Sequence, residues 1–219
     1  MSVRWSKPVV FAACLVPLGL LAAKFFGPTP GDMTTWGSGL GANPIEVITH
    51  STGDWTMRFL LITLAITPLR KLTGQGWLIR YRRMAGLFGF FYGVLHFTTY
   101  IWLDKIFDVH AMVGDIAKRR FITVGLLGFV LMIPLALTST AGWIRRLGGK
   151  RWQMLHRLIY GSAIAGVIHY TWLVKADLTK PLQYGAILAV LLGYRLVVWL
   201  KPSKRIVAVS PKMEVSEGA

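Results

Sequence analysis

The sequence has little of three things on which many enzymes depend: cysteine, acidic side chains and paired catalytic groups. Its one cysteine, Cys14, excludes a disulfide, an iron–sulfur cluster or a cysteine-rich zinc site within the chain. Nine residues are acidic and 25 are basic among 219. No G-x-G-x-x-G fingerprint of a nucleotide-binding domain occurs, and no acid–base or nucleophile constellation stands out. We therefore expect any substrate chemistry to belong to a partner protein.

Apolar residues, by contrast, are abundant. They make up 54% of the chain, and the mean hydropathy of +0.52 is typical of an integral membrane protein. A helix needs about 20 apolar residues to cross a bilayer. Six runs approach or reach that length, so we predict an all-α bundle of six transmembrane helices in one domain covering residues 1–219. The predicted spans are 8–26, 55–69, 81–103, 120–140, 151–174 and 181–200.

Helix-breaking residues and charged residues predict the connections between these runs. Glycine and proline in residues 27–54 predict an exposed loop, Pro68 should close the second span, and residues 104–119 read as a mixed-charge loop. The first run lacks a clear cleavage site, so we expect a retained helix rather than a signal peptide. Residues 201–219 form a polar tail.

The net charge of +16 has two interpretations, nucleic-acid binding and membrane topology. The basic clusters are short and flank apolar runs, which favours anionic lipid and the positive-inside rule over nucleic acid. With a cytoplasmic N-terminus, 16 basic residues fall inside and 8 outside, while seven of the nine acidic residues fall outside. We predict an integral membrane protein with both termini in the cytoplasm.

Three histidines lie inside apolar runs: His96 in the third, and His156 and His169 in the fifth. An ionisable group within a span indicates a functional site, and three histidines suggest haem ligation and electron transfer. Thirteen residues separate His156 from His169, roughly 20 Å and 140° on one ideal helix. They cannot address one flat site unless the helix is irregular. His50 and His110 are expected in solvated loops.

Small residues share the helix face of these histidines. Gly89 and Gly93 precede His96 by seven and three residues, and Gly166 precedes His169 by three. Such strips serve close helix packing or clear space for a porphyrin. Their position below an intramembrane histidine on both helices favours haem. Each imidazole also needs a carbonyl or hydroxyl partner, and no choice is supported among the nearby hydroxyls of Thr99, Tyr100, Ser162 and Thr171.

Several segments together resemble the MsrQ (YedZ) family, haem-binding membrane subunits of a bacterial system that repairs oxidised methionine. They include LGANPIEVITHSTG (40–53), LAITPLR (64–70), RRMAGLFGFFYGVLH (82–96), KRRFITVG (118–125), LALTST (135–140) and W-x-x-L-H-R-L-x-Y (152–160), followed by His169. The resemblance implies a location in the bacterial inner membrane, and haem b and FMN as cofactors. It also implies that electrons pass from a cytoplasmic flavin reductase or the quinone pool to MsrP, a periplasmic molybdopterin-dependent methionine sulfoxide reductase.

The resemblance also implies site residues. His96 and His169 match the outer axial ligands of the haem iron, and His156 matches an inner ligand. Arg82 stands where the inner partner of His156 would lie, and it cannot ligate iron. His156 is then left to bind a second haem, to share one, to neighbour the flavin or to act structurally. The basic residues Arg80, Arg82, Arg83 and Arg151 either hold the flavin phosphate or set topology.

Two rival functions remain open at this point. A stand-alone transmembrane metal or quinone reductase would use the same haem site. A non-redox transporter or assembly factor would use the histidines for protons or metal and would bind no haem.

Overall fold

The computed structural model describes residues 6–29, 32–36 and 39–200, and this part of the chain is almost wholly helical. The tail predicted for 201–219 lies outside the described residues. A short antiparallel ribbon joins β1 (Pro28–Thr29) to β2 (Asp32–Trp36). The helices are α1 (Ser6–Phe26), α2 (Pro44–Thr73), α3 (Ile79–Thr98), α4 (Val109–Lys118), α5 (Arg120–Leu137), α6 (Ala141–Leu147), α7 (Gly149–Leu155), α8 (Leu158–Leu173) and α9 (Thr179–Leu200). A 3₁₀ turn, Gly76–Leu78, leads into α3, and a π-helical segment, Thr99–Asp104, extends it.

Four of the helical stretches in the described chain are long and apolar enough to cross a membrane: Ser6–Phe26, Gly76–Asp104, Arg120–Leu137 and Thr179–Leu200. They confirm the membrane character of the protein. The other two predicted spans correspond to α2 and α8, and α8, with 16 residues, is short for a bilayer. Six spans therefore stay a prediction.

The second helix is much longer than predicted at both ends. Asn43 caps α2 by accepting from Glu46 N (3.3 Å) and by donating from Nδ2 to Glu46 Oε2 (2.9 Å), and Pro44 occupies the first turn. The loop predicted for 27–54 is therefore wrong over 44–54. Pro68 does not end the helix, which continues to Thr73 and stops at Gly74, where φ is 70°.

The fifth apolar run is two helices, so the single span predicted for 151–174 is wrong. The chain breaks at His156 and Arg157, between α7 and α8. Trp152 Nε1 donates to Thr138 O (2.9 Å) and holds α7 against the end of α5. The argument that His156 and His169 face 140° apart on one helix no longer applies.

The mixed-charge loop predicted for 104–119 contains α4. Asp108 caps this helix by accepting from Ala111 N (2.9 Å). Lys105 Nζ lies 2.7 Å from Asp115 Oδ2 and ties the end of the π-helical segment to α4. Thr123 Oγ1 donates to Ile116 O (2.6 Å) and ties α4 to α5. The connection is thus an ordered cap between α3 and α5.

The core is built from two antiparallel hairpins, α2 with α3 and α5 with α8. Phe59 of α2 stacks on Tyr92 of α3 at 5.4 Å, and Tyr92 Oη donates to Cys14 O (3.0 Å), which docks α1. A second cluster joins α2, α5, α8 and α9 around Leu64, Met132 and Ala163. The end of the bundle bearing Asp54, Asp115 and Asp177 is called the acidic end here, and the end bearing the Arg70–Arg83 and Arg145–Arg151 connections the basic end.

Candidate haem site

The structure brings His96 and His169 together near the acidic end. Their ring centroids are 6.1 Å apart, and the ring planes are 80° apart. An axial imidazole nitrogen lies about 2 Å from its metal, and the ring centre lies roughly 1 Å further out. Two rings on opposite sides of one metal ion are therefore about 6 Å apart. The separation of the pair fits the two axial positions of a single haem iron.

The hydrogen bonds of the pair decide which ring nitrogen is free. His96 Nδ1 lies 3.0 Å from Thr49 O, and His169 Nδ1 lies 2.7 Å from Phe121 O. A carbonyl oxygen can only accept, so each Nδ1 carries the proton and donates it. Each Nε2 then keeps its lone pair, the form that binds a metal. Both histidines are held in the ligating tautomer.

A glycine stands four residues after each accepting carbonyl. A Cβ placed on Gly53 would lie 3.1 Å from His96 Cε1 and 3.2 Å from His96 Nδ1. A Cβ on Gly125 would lie 2.5 Å from His169 Nδ1 and 2.9 Å from His169 Cε1. Each imidazole thus occupies the place of a missing side chain, and this lets Nδ1 reach the main chain.

Sequence reasoning missed Gly53 and Gly125. It searched the helices that bear the histidines, whereas these two glycines lie on α2 and α5. Both occur in segments that carry the family resemblance, and that is the only sequence signal for them.

The glycines that were predicted to clear space face the neighbouring helix α2, and Gly93 also faces Phe129 of α5. The approach is closest at Gly166, where a Cβ would lie 2.5 Å from Met57 Sδ. A Cβ on Gly89 would lie 3.5 Å from Phe59 Cβ, and one on Gly93 3.6 Å from Thr56 Cγ2. These contacts fit close packing of α3 and α8 on α2. A cofactor-binding role for the three glycines stays a prediction.

The hydroxyls near the histidines in sequence have other partners. Thr99, Ser162 and Thr171 donate to the main-chain oxygens of Leu95, Gly128 and Val167, and Tyr100 donates to Asp115. The imidazole partners are thus the two carbonyls described above. His50 and His110, predicted in loops, lie at exposed positions of α2 and α4.

His156 occupies a different place, at the junction of α7 and α8. Its ring stacks on Trp152 at 3.9 Å between centroids, and Nε2 lies 3.2 Å from Thr138 Oγ1. Thr138 Oγ1 already donates to Pro134 O (2.6 Å), so it accepts the proton of His156 Nε2. The structure does not bring His156 to the other two rings, and a ligand role for it stays a prediction.

The arginines predicted for a flavin phosphate are divided between two places. Arg82 lies within electrostatic range of Tyr160, Arg195 and Arg70 at the basic end. Arg80 and Arg83 lie on another face of α3 and line a groove beside α1. Arginines 80, 82 and 83 therefore do not converge on one phosphate.

The described part of the chain offers too few side-chain ligands in one place to bind a metal ion without a porphyrin. Within residues 6–29, 32–36 and 39–200, no three His, Cys, Asp or Glu side chains come close enough to hold one. Haem iron needs only two protein ligands, because the porphyrin supplies the others. The donor set of the histidine pair fits haem better than it fits a free cation.

Comparison with known proteins agrees with this geometry. A family model, the ferric reductase like transmembrane component, matches residues 52–167. The protein-methionine-sulfoxide reductase heme-binding subunit MsrQ of Herminiimonas arsenicoxydans is 54% identical over 201 residues, covering 90% of this chain and 88% of that protein. The same subunit of Azospira oryzae is 58% identical over 163 residues, covering 74% and 70%. That of Rhodospirillum rubrum is 52% identical over 194 residues, covering 89% and 88%.

Proposed function

The chain belongs to the MsrQ family of ferric-reductase-like transmembrane proteins, and we propose that it is a haem b-binding subunit that carries electrons across the membrane. The observation that supports this most is the pairing of His96 with His169, two imidazoles in the ligating tautomer at the separation one iron requires. A haem with two imidazole ligands supplies reversible one-electron transfer and leaves no open position for oxygen or substrate.

The residues around His96 and His169 fix the orientation and the protonation of both imidazoles. The carbonyls of Thr49 and Phe121 keep the proton on each Nδ1 and fix the rotation of each ring. The antiparallel hairpins α2–α3 and α5–α8 carry ligand and acceptor on facing helices, so packing of each hairpin sets the ring position. Helix α4, tied through Asp115 and Ile116, covers the acidic end beside the pair.

The orientation in the membrane is inferred from the distribution of charge. The predicted topology puts 16 basic residues on the side of the basic end and 8 on the opposite side, and the positive-inside rule then assigns the basic end to the cytoplasm. Six acidic residues lie in the helices and connections of the acidic end: Glu46, Asp54, Asp104, Asp108, Asp115 and Asp177. The protein then lies in the bacterial inner membrane with six spans and both termini in the cytoplasm. The histidine pair lies in the periplasmic half, where it can pass electrons to the periplasmic molybdopterin-dependent methionine sulfoxide reductase MsrP.

Electrons would enter the protein at the basic end, opposite the histidine pair. Either a cytoplasmic flavin reductase or the quinone pool would supply electrons, and FMN would be the second cofactor. The support for an anionic group there is a set of arginines that lie within electrostatic range of Arg82 at the basic end, Arg70 and Arg195. Arg195 Nη1 donates to Leu191 O (3.0 Å), Nη2 donates to Leu64 O, and the guanidinium lies 5.4 Å from the Tyr160 ring. Three of its five N–H donors are left for a phosphate.

The first experiment is the reduced-minus-oxidised spectrum and the pyridine haemochrome content of detergent-purified protein. We expect a low-spin b-type signal in the natural protein and loss of most haem in His96→Ala and in His169→Ala. His110→Ala, at an exposed position of α4, is the control and should keep its haem. Full retention in either ligand variant would contradict the pairing, and a haem-free natural protein would favour the transporter or assembly factor.

The partner is tested separately. In vesicles, reduced haem should be reoxidised when purified MsrP and a methionine sulfoxide peptide are present on the periplasmic side. Reoxidation by ferric or quinone acceptors alone, with no response to MsrP, would favour the stand-alone metal or quinone reductase.

A further inference from the structure

A groove of about 500 Å³ runs between α1 and α3, away from the histidine pair. Lys7, Arg80 and Arg83 surround one end of it, at the basic end of the bundle. The rest of the lining is aliphatic or aromatic and includes Phe11 and Leu87. The groove is open to the outside, because Phe11 keeps 51% of its surface exposed.

Helical spacing explains why charge gives way to apolar surface along the groove. On α3, Arg80, Arg83, Leu87 and Phe91 follow at intervals of three and four residues and share one face. On α1, Lys7 and Phe11 are also four residues apart. Eight residues of helix rise separate Arg83 from Phe91, about 12 Å. The groove therefore has a cationic mouth and an apolar channel that runs into the membrane.

Aromatic residues of α3 hold α1 beside the groove. Phe11 meets Phe88 edge-on at 5.2 Å, and deeper in the membrane Tyr92 Oη holds the main chain of α1. Since α1 is docked through these aromatic residues, the space beside them on the side of Leu87 stays open.

The cations at the mouth have no carboxylate partner in the described chain. Its four ion pairs involve Lys105, Arg119 and Lys180, all at the acidic end. Arg80 Nε donates to Trp77 O (3.2 Å), and its terminal nitrogens remain available. Three cations above an apolar channel complement a molecule with an anionic head and a hydrocarbon tail.

We infer that this groove binds an anionic phospholipid of the leaflet at the basic end. The phosphate is held by Arg80, Arg83 and Lys7, and one acyl chain lies along Phe11 and Leu87. A flavin mononucleotide fits less well. Its ribityl hydroxyls would need hydrogen-bond partners, and the residues lining the channel below the cations, all Phe, Leu or Met, carry no side-chain hydroxyl or amide. The inference does not depend on the proposed haem site.

The test is native mass spectrometry of full-length protein after equilibration with equal phosphatidylglycerol and phosphatidylethanolamine. We expect preferential retention of phosphatidylglycerol, and a loss of that preference by about tenfold or more in Arg80→Gln/Arg83→Gln. The charge-matched control is Arg145→Gln/Arg146→Gln, on α6 at the same end, which should behave as the natural protein. The thermal unfolding temperature is measured in every variant to show that it is folded.

A second variant separates the phospholipid from other phosphates. Leu87→Trp fills the apolar channel and leaves all three cations, so we expect it to lose lipid retention as well. Retained preference in Leu87→Trp, or displacement of lipid by FMN or inorganic phosphate, would overturn the assignment in favour of a simple phosphate site. Equal loss in the two arginine double variants would reduce the effect to general surface charge and overturn it too.

Discussion

A methyl group at Gly125 tests the geometry of the histidine pair most directly. In Gly125→Ala the new Cβ would lie 2.5 Å from His169 Nδ1, and unstrained carbon–nitrogen contacts need about 3.5 Å. The imidazole must therefore move by roughly 1 Å, which breaks its 2.7 Å bond to Phe121 O. The ring can no longer keep both its acceptor and its position opposite His96.

The expected weakening of haem binding follows from two energetic costs, the steric overpacking and the loss of the hydrogen bond to Phe121 O. Overpacking costs about 1–3 kcal/mol, and a hydrogen bond contributes about 1 kcal/mol. A total of about 2–4 kcal/mol corresponds to haem binding that is roughly 30- to several hundred-fold weaker. At Gly53 the Cβ would be 3.1 Å from the ring of His96, so a movement of a few tenths of an ångström suffices. We expect only about fivefold weakening in Gly53→Ala, or about 1 kcal/mol.

The assay is titration of haem into the apoprotein, followed by the low-spin spectrum and the midpoint potential. Gly193→Ala is the matched control, because a Cβ there meets nothing within 4 Å. Alanine favours a helix over glycine by about 1 kcal/mol, so general unfolding would not account for haem loss in Gly125→Ala. Equal haem affinity and an unchanged spectrum in Gly125→Ala and Gly193→Ala would show that His169 does not lie against α5.

Three further changes test other parts of the structure. The ammonium of Lys105, 2.7 Å away, holds the pKa of Asp115 below its ordinary value of 3.8. That pair stabilises the folded state above about pH 4 and is lost as the pH falls further, so the thermal unfolding temperature should drop more steeply between pH 5 and 3 in the natural protein than in Asp115→Asn. His156→Ala should leave the haem of the His96–His169 pair in place, and a haemochrome count that falls by half would instead assign His156 a haem of its own. Asn43→Ala removes the cap of α2 and should cost about 1 kcal/mol in thermal unfolding, whereas Asn43→Asp should keep most of it.

Membrane character and family could be predicted from the sequence because both depend on features that are local in the chain. Apolar runs of sufficient length matched α1, α5 and α9 closely, because a transmembrane helix is recognised by its local hydrophobic composition. The resemblance to MsrQ rested on short segments of contiguous residues and is confirmed by the relatives.

The breaks and ends of the helices were harder to predict from the sequence, because the residues that stabilise them lie elsewhere in the fold. The break at His156 is stabilised by Thr138, which caps the C-terminus of α5, and no glycine or proline next to His156 marks it in the sequence. Pro68 was expected to stop α2. It is tolerated because membrane helices can lose one main-chain hydrogen bond when neighbours pack around the gap.

The candidate site shows the same division. His96 and His169 were identified on their own helices, and the structure places their rings side by side. Their hydrogen-bond acceptors were not identifiable, since a main-chain carbonyl has no residue type and any residue can supply it. The glycine four positions after the carbonyl can be recognised in a sequence. Its role cannot be predicted without knowing which helix packs against it.

The two half-sites are built alike. In the first hairpin a carbonyl, a glycine four residues later and a histidine 47 residues after the carbonyl form one unit, and in the second the same three elements recur with a spacing of 48. Both hairpins start at the acidic end and return to it, and each holds its imidazole with a main-chain acceptor and a missing side chain on its first helix. A substitution in one half-site therefore leaves the acceptor and the glycine of the other unchanged. The remaining imidazole then keeps its ligating tautomer, so the two rings can be disturbed one at a time.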